Sequence, residues 1–462
     1  MGDNNRFNGT RRGTEMKDDS TQELIGFLLD RATQYKNLEA DCLFVHGISS
    51  SATVRLGEVE DLTSAEFAAL GLRLILEHRQ ACVSISDFRK SSLEALFDRV
   101  LSMAKAAPKD AYAGLAEPNR LYNDAGPDLD IVDQTDLTAG KLIELAGQAD
   151  AAVLSIENVT NSGGASMSYG RSTRYMATSH GFFESYGSST YSLSATAVAG
   201  HDRSMERDYD YCSARHFCDL DTPLQIGTTA GERAVARLNP KKAPTIKLPV
   251  IYAPRVASGL LGHLATGING RAISRATSFL NDKMGDRLFP EQVQIIDDPR
   301  RPRGLCSRPF DGEGVATSPL KIIDSGHLRS WILDCTTARQ LGLQSTGHAS
   351  RGLTSPPFPG TTNLYLAAGK ASPDDLISDI SEGVYLTELI GMGVNTLTGD
   401  YSRGAAGFLI KNGKIGHPVT GLTVAGNLID MFAQLTPASD LEFRYGINSP
   451  TVRIDSMMIA GS

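Results

Sequence analysis

The stretch LPVIYAPRVASGLLGHLATGING, residues 248–270, predicts a short buried strand followed directly by a helix. Residues 248–252 form an apolar run of strand length, and the leucines, glycines and alanines from residue 257 onward are typical of a packed helix. Apolar residues recur there at helical spacing: Leu261, Leu264, Ile268 and Ala272. The helix therefore buries one face, and His263 is the single histidine in the stretch.

His263 raises the question of a metal site on this helix. A hydrolytic zinc helix needs a glutamate beside the first histidine and a second ligand about one turn away. Here Leu264 follows His263, and the next turn contains Ile268. Neither residue binds zinc or accepts a proton. The pattern predicts a structural helix with one hydrogen-bonded histidine and no metal site.

Composition excludes some classes of function. The chain has 462 residues and a formal charge of −8, which argues against a mainly electrostatic nucleic-acid binder. The densest basic run, residues 300–303, indicates a solvated loop. No apolar run approaches the roughly 20 residues of a membrane span, and residues 1–20 are predicted to be a disordered polar extension. Six cysteines are few for this length and indicate reduced thiols in a cytoplasmic protein.

The first half of the sequence is predicted to form an α+β domain over residues 21–230, with α/β elements and β-hairpins. Helical periodicity marks residues 21–37, 91–107, 137–148 and 223–238. Strands that pair as hairpins are expected at 42–46 with 52–59, and at 70–76 with 81–86. Further strands are expected at 151–157, 174–178, 181–185 and 191–199, with a turn at 161–164.

The second half predicts a β-rich domain over residues 231–462. Short strands are expected at 320–323, 327–333, 363–367 and 384–390. Ser372 is expected to cap a helix that begins at Pro373. Asn412-Gly413 supplies the positive φ angles of a type I′ turn, which predicts a hairpin over 407–416.

Two other clusters could carry chemistry, and each has a plain structural alternative. His201, Cys212, His216 and Cys218 could bind zinc, but their spacing is not a common zinc pattern, so a helix or loop with incidental thiols is favoured. A cysteine hydrolase could pair a thiol with an imidazole close to it in sequence. The candidates for that pairing are Cys306, Cys335, His327 and His348.

Two glycine-rich segments follow the strand at 384–390. Residues 391–395 do not lead into a helix, so they do not predict a phosphate-binding loop. Residues 399–407 place Asp400, Tyr401, Ser402 and Arg403 between glycines. They indicate either a tight connection with Asp400 and Arg403 paired, or a chamber-lining loop that contacts peptide or partner.

Several segments together resemble the TldD/PmbA family, and most closely its TldE (PmbA) branch. The resemblance extends from about residue 20 to the C-terminus. Its segments are residues 83–87, 110–115, 257–264, 345–349, 387–394, 399–407 and 425–428.

The resemblance implies a two-subunit, zinc-dependent peptidase that takes unfolded peptides into an enclosed chamber, in peptide-antibiotic maturation and antitoxin degradation. The catalytic TldD-like subunit has the motif H-E-x-x-x-H and a later cysteine. These positions correspond to His263, Leu264 and Ile268, and to Ser449 in the segment 446–450. The resemblance thus implies a non-catalytic subunit that holds no cofactor, with zinc in a TldD-like partner and peptide or partner contacts at His348 and residues 400–403.

Two other functions remain open from the sequence. The chain could be a binding or regulatory homodimer, such as a modulator of DNA gyrase, without proteolytic activity. It could also be an enzyme in its own right that uses Cys212, His216 or Cys218.

Overall fold

The computed structural model describes residues 18–123 and 126–461. Residues 1–17, most of the predicted polar extension, lie outside the described part, and helix α1 begins at Asp18. The N-terminal part comprises α1 (Asp18–Thr33), β1 (Leu38–Arg55), β2 (Glu58–Leu76), β3 (Arg79–Ile85), α2 (Lys90–Ala106), α3 (Ala139–Leu154), β4 (Val159–Thr178), β5 (Phe183–Ala199), β6 (Glu206–Ala214) and α4 (Pro223–Ala236).

The N-terminal strands form one antiparallel sheet in the order β3-β2-β1-β4-β5-β6. Helices α1 to α4 all cover the same face of this sheet. Every second residue of β1 points to one face, and residues from this one set pack in two cores, each formed with a pair of the helices. Phe44 packs in the core that includes α1 and α2, and Val54 packs in the core that includes α3 and α4. The opposite face receives a C-terminal loop at Gly71, where a Cβ would collide with the backbone of Leu353.

Several expectations for this sheet are wrong. Residues 42–46 and 52–59 do not form a hairpin: β1 is one strand of 18 residues, and its turn lies at Leu56-Gly57, where both φ angles are positive. The predicted strand at 151–157 is largely the end of α3, because Ala152 and Val153 are buried helix residues. The predicted turn at 161–164 lies within β4, at two register shifts.

The C-terminal part begins with β7 (Ile246–Tyr252), α5 (Pro254–Gly267) and α6 (Gly270–Ser274). It continues with β8 (Ile295–Asp297), β9 (Leu320–Asp324), β10 (His327–Leu328), α7 (Cys335–Leu341), β11 (Ala349–Ser350), β12 (Phe358–Pro359), β13 (Leu364–Leu366) and α8 (Pro373–Ser378). The last elements are β14 (Glu382–Ile390), β15 (Asp400–Lys411), β16 (Lys414–Asn427), α9 (Leu428–Ala433), β17 (Leu435–Pro437), β18 (Ile447–Asn448) and β19 (Val452–Gly461).

A closed sheet organises the C-terminal part. Its strand order is β16-β15-β14-β7-β19-β17, and β16 also pairs with β19, so five strands close into a barrel. Strands β7 and β14 are parallel, and α5 leaves the end of β7. A second sheet has the order β10-β9-β8-β13-β18. The largest apolar core combines residues of α5 with those of the barrel strands.

The α+β class and most local expectations for the C-terminal part are confirmed. Ser372 caps α8 through a reciprocal capping box, and Asn412 and Gly413 take φ angles of 50° and 72° in the turn between β15 and β16. The strand expected at 327–333 is wrong beyond Leu328, and the expected boundary at residue 230 falls inside α4. Within the described ranges, no helix is both long and apolar enough to cross a membrane.

Candidate functional site

Helix α5 has one side buried in the barrel core. Pro254 occupies the first turn, where its missing N–H is tolerated, and the residue before it is extended. Leu261, Leu264 and Ile268 are almost fully buried, which confirms the predicted stripe along the helix. Ala272 lies beyond α5, in α6, and is half-buried.

His263 lies on the other side of α5 and is half-buried. Its ring meets the ring of Tyr401 edge-on, with 5.8 Å between the centroids. Burial lowers the pKa of His263, and the guanidinium of Arg403 lowers it further. His263 is therefore a neutral imidazole at pH 7.

The residues around His263 do not fit a zinc ion. Leu264 and Ile268 are apolar and have no exposed surface, so neither the metal nor its water could reach a base there. Ser449 is also buried, and its hydroxyl donates to the carbonyl of Pro450 at 2.9 Å. Among residues 18–123 and 126–461, no group of three or more His, Cys, Asp or Glu side chains is arranged to hold a metal.

The cluster between His201 and Cys218 is dispersed. Residues 206–214 form strand β6, so the expectation of a helix or loop there is wrong. Cys212 is buried in the core with α3 and α4, whereas Cys218 is exposed. His216 contacts the carbonyl of Asp130 at 2.9 Å and its carboxylate at 3.1 Å.

The thiols considered as nucleophiles are not activated. Cys306 lies at the surface, yet partial desolvation by the groups around it raises the pKa of its thiol. Burial also raises the pKa of Cys335, and the neighbouring Glu313 carboxyl adds to the effect. A raised pKa leaves little thiolate at neutral pH, and thiolate is the reactive form. His327 is held by the carbonyl of Ser325 at 2.9 Å.

His348 lies in the interior of the chain. Its Nδ1 donates to the carbonyl of Thr346 at 2.7 Å, and its Nε2 lies 3.5 Å from the Asp297 carboxylate. Asp297 in turn accepts the backbone N–H of Thr362 at 2.7 Å. His348 has no exposed surface, so its contacts are with this chain's own loops.

Residues 400–403 alternate along the start of β15. Asp400 and Ser402 are exposed, whereas Tyr401 is buried against α5. The Asp400 carboxylate accepts from Thr398 Oγ1 at 2.7 Å and from Asn427 at 3.3 Å. Arg403 Nε instead donates to the carbonyl of Ile390 at 3.4 Å. The Asp400–Arg403 pair, one of the two alternatives that the sequence left open, is replaced by two separate sets of contacts.

A cleft of about 310 Å³ lies beside the first half of α5. It is bounded by β6, α4, α5, β14 and β15. Its lining residues are Arg207, Asp208, Tyr209, Arg237, Arg255, Val256, Ser258, Gly259, Thr387, Glu388, Leu389 and Arg403.

Ion pairs across this cleft join the N-terminal and C-terminal parts. Arg255 binds Asp208 through both Nη groups, at 2.5 and 2.8 Å. Arg237 lies 2.6 Å from Glu388, and Arg207 lies 3.4 Å from the same carboxylate. Burial is the largest single influence on Asp208 and opposes its ionisation, but the hydrogen bond and charge of Arg255, the Tyr209 N–H and the charge of Arg237 together lower its pKa.

These ion-paired residues were not predicted from the sequence. The local signal was the alternation of β6, in which Asp208 and Asp210 occupy the buried positions. A buried carboxylate requires a cationic partner, but those partners lie far along the chain. A neighbouring cavity of about 500 Å³ is lined by the same Asp208, Arg237 and Arg255, and also by Ser449.

Family models cover most of the chain. Models of the PmbA/TldA metallopeptidases match it in three parts: domain 1 over residues 40–104, the central domain over 133–238 and the C-terminal domain over 245–461. Metalloprotease PmbA of Escherichia coli O157:H7 is 38% identical over 413 residues, which cover 89% of this chain and 90% of that protein.

Two solved structures share the fold over 96% of this chain and all of their own. A protein from Bacteroides thetaiotaomicron, described as a candidate modulator of DNA gyrase, has a TM-score of 0.89 and 27% identity. TldE from Thermococcus kodakarensis has a TM-score of 0.84 and 21% identity.

Proposed function

The chain belongs to the TldD/PmbA metallopeptidase family, and from this premise we propose that it is the non-catalytic subunit of a two-chain zinc peptidase. Its partner would be a TldD-like chain that carries the zinc and the glutamate base. This chain would complete the wall of the chamber that admits unfolded peptides.

The burial of Leu264 and Ile268 carries this proposal. These two positions correspond to the glutamate and the second histidine of the catalytic branch, and here they belong to the barrel core. Ser449 stands at the position of the catalytic cysteine; it lies in the wall of the neighbouring cavity, and its hydroxyl donates to the carbonyl of Pro450. A water activated by metal requires ligands and a base, and these three positions supply neither.

The residues of the predicted contact segment that are exposed suit an extended peptide. Strand-like substrates are held mainly through backbone hydrogen bonds, with little dependence on sequence. Asp400, Ser402 and Arg403 are the accessible candidates for peptide or partner contact, while Tyr401 and His348 are enclosed. The six cysteines are all free thiols, which supports a place in the cytoplasm.

Reconstitution tests the proposal. The chain is co-expressed with a TldD-like chain that contains the complete H-E-x-x-x-H motif, and the mixture is separated by size. We expect one complex with both chains that cleaves a labelled unfolded peptide. Glutamine in place of the partner's motif glutamate should abolish cleavage, whereas His263→Ala in this chain should leave most of it. Loss of cleavage with His263→Ala in a folded complex would contradict the proposal.

A second candidate is a regulatory homodimer that acts on another cellular complex. The description of the Bacteroides structure as a candidate gyrase modulator favours it, at 27% identity. Affinity capture with the tagged chain separates the two functions. Recovery of gyrase subunits without a TldD-like chain supports the second, and recovery of a TldD-like chain supports the first.

A further inference from the structure

The cleft beside α5 has more positive than negative charge. Its lining contains four guanidinium groups and two carboxylates, a net charge of +2. Three of the arginines are paired with these acids: Arg255 with Asp208, and Arg237 and Arg207 with Glu388. The fourth, Arg403, carries one of the two excess charges, and the other is offset by Glu206, which lies 3.5 Å from Arg237 just outside the lining.

Arg403 has unused hydrogen-bonding capacity. Within residues 18–123 and 126–461, no carboxylate lies within ion-pair distance of it, and its one hydrogen bond runs from Nε to the carbonyl of Ile390. Its two Nη groups therefore remain available, and its side chain is half-buried at the edge of the cleft. The imidazole of His263 is close enough for the Arg403 charge to lower its pKa.

We infer that this cleft is an anion site in which Arg403 binds a carboxylate of an extended peptide. The inference rests on the proposed function for its choice of ligand, since the anions of an unfolded peptide are its C-terminus and its acidic side chains. A guanidinium presents two parallel N–H groups that match a carboxylate, and such charged pairs are stronger than neutral hydrogen bonds.

The surroundings favour an anion over a cation. Glu388 and Asp208 already have arginine partners, so neither offers a free negative charge to a cationic ligand. Apolar side chains of Val256 and Leu389 line the same cleft and reduce the access of competing water.

Calorimetry on this chain alone, at low salt, tests the site with three N-acetylated tripeptides. The first ends in a free carboxylate, the second is its C-terminal amide, and the third is an amide with a central aspartate. We expect binding of the first or the third, which identifies the source of the carboxylate. Arg403→Ala should weaken that binding by about tenfold or more. Arg403→Lys keeps the charge but loses the two parallel N–H groups, and it should weaken the binding less.

Arg207→Ala is the matched control. It removes an equal charge from the same cleft, but from a guanidinium that is paired with Glu388. We expect it to change the affinity by less than about threefold. Binding of the neutral amide as tightly as the better of the two acidic peptides would overturn the inference. So would unchanged affinity in Arg403→Ala, or no binding of either acidic peptide.

This test is independent of the proposed subunit role. The chain is assayed without a catalytic partner, so peptide cleavage does not enter the result. A chain that supports cleavage in the complex but binds no acidic peptide would retain its proposed function and lose this site. Thermal melting of Arg403→Ala beside the unsubstituted chain shows that an affinity change is not caused by unfolding.

Discussion

Several charged contacts join the N-terminal and C-terminal parts of this chain, and two of them differ in exposure: one is sealed within the protein, while the other is open to a cleft. In the sealed contact, Asp41 of β1 pairs with Arg73 of β2 and with Arg351 of a C-terminal loop, and all three side chains are buried. In the open contact, Asp208 pairs with Arg255 at a cleft where Arg403 has no acidic partner.

The difference separates charges that hold the structure from charges available to a ligand. Buried ions must be paired within the protein, because water cannot compensate them. Burial in the sealed contact, with Asp311 and Asp334 close by, raises the pKa of Glu313 to about 8. The open contact has space beside its ion pairs, so its extra guanidinium can remain charged without a partner from the chain.

Loss of Asp41 should have the largest effect. Asp41→Asn leaves Arg73 and Arg351 buried without their anion, and we expect it to lower the free energy of unfolding by about 3–5 kcal/mol. Urea denaturation measures this. The matched control is Asp98→Asn, which breaks an exposed ion pair with Arg31 and should cost less than about 1 kcal/mol. Similar values for the two variants would remove the distinction between sealed and exposed pairs.

Loss of Arg255 in the open contact should have a smaller effect. Arg255→Ala removes the bidentate ion pair with the buried Asp208, but Arg237 remains 3.5 Å from that carboxylate. We expect a loss of about 2 kcal/mol in urea denaturation. Arg89→Ala, which breaks an exposed pair with Asp87, should cost less than about 1 kcal/mol. A loss in Arg255→Ala as large as that of Asp41→Asn would show that the open contact is equally structural.

Glu313 should make stability depend on pH. Its carboxyl keeps a proton up to about pH 8 in the folded state, whereas an unperturbed glutamate, as in the unfolded chain, has a pKa of about 4.5. The folded state thus binds more protons between these values, so stability falls as pH rises across that window, by at most about 1.4 kcal/mol per pH unit. Glu313→Gln should flatten the profile measured by urea denaturation at pH 5 to 8. An unchanged slope in the variant would assign the dependence to another group.

Loss of Arg403 should have the smallest effect on stability. Because no acid pairs with it in the described part, Arg403→Ala should change the free energy of unfolding by less than about 0.5 kcal/mol. Peptide cleavage by the two-chain complex should nevertheless fall, without dissociation of the chains. A large loss of stability in thermal melts would show that Arg403 is structural, and unchanged cleavage would remove it from the functional residues.

Local periodicity was enough to predict the strand and helix around residues 248–270 and the Asn412-Gly413 turn. It failed for β1, because Ser49, Ser50 and Ser51 resemble a turn. In the structure the strand continues through them, with Ser49 exposed and the other two half-buried, and buried positions return at Ala52 and Val54. The chain reverses only at Leu56-Gly57.

The candidate site was predicted in part. His263, Leu264 and Ile268 were identified from their order along one helix, and the structure shows why they do not fit zinc. The ion pairs of the cleft were missed because their members are distant in sequence: Asp208 and Arg255 are 47 residues apart. No local pattern marks such a pair, since it depends on how the two parts of the chain meet.

Zinc content and cleavage, measured on this chain purified alone after incubation with zinc, test the central claim most directly. Elemental analysis should find almost no bound zinc, and a labelled unfolded peptide should stay intact until a TldD-like chain is added. About one tightly held zinc per chain, together with cleavage in the absence of any partner, would contradict the account. It would show that His263 or an unrecognised cluster forms a working metal site.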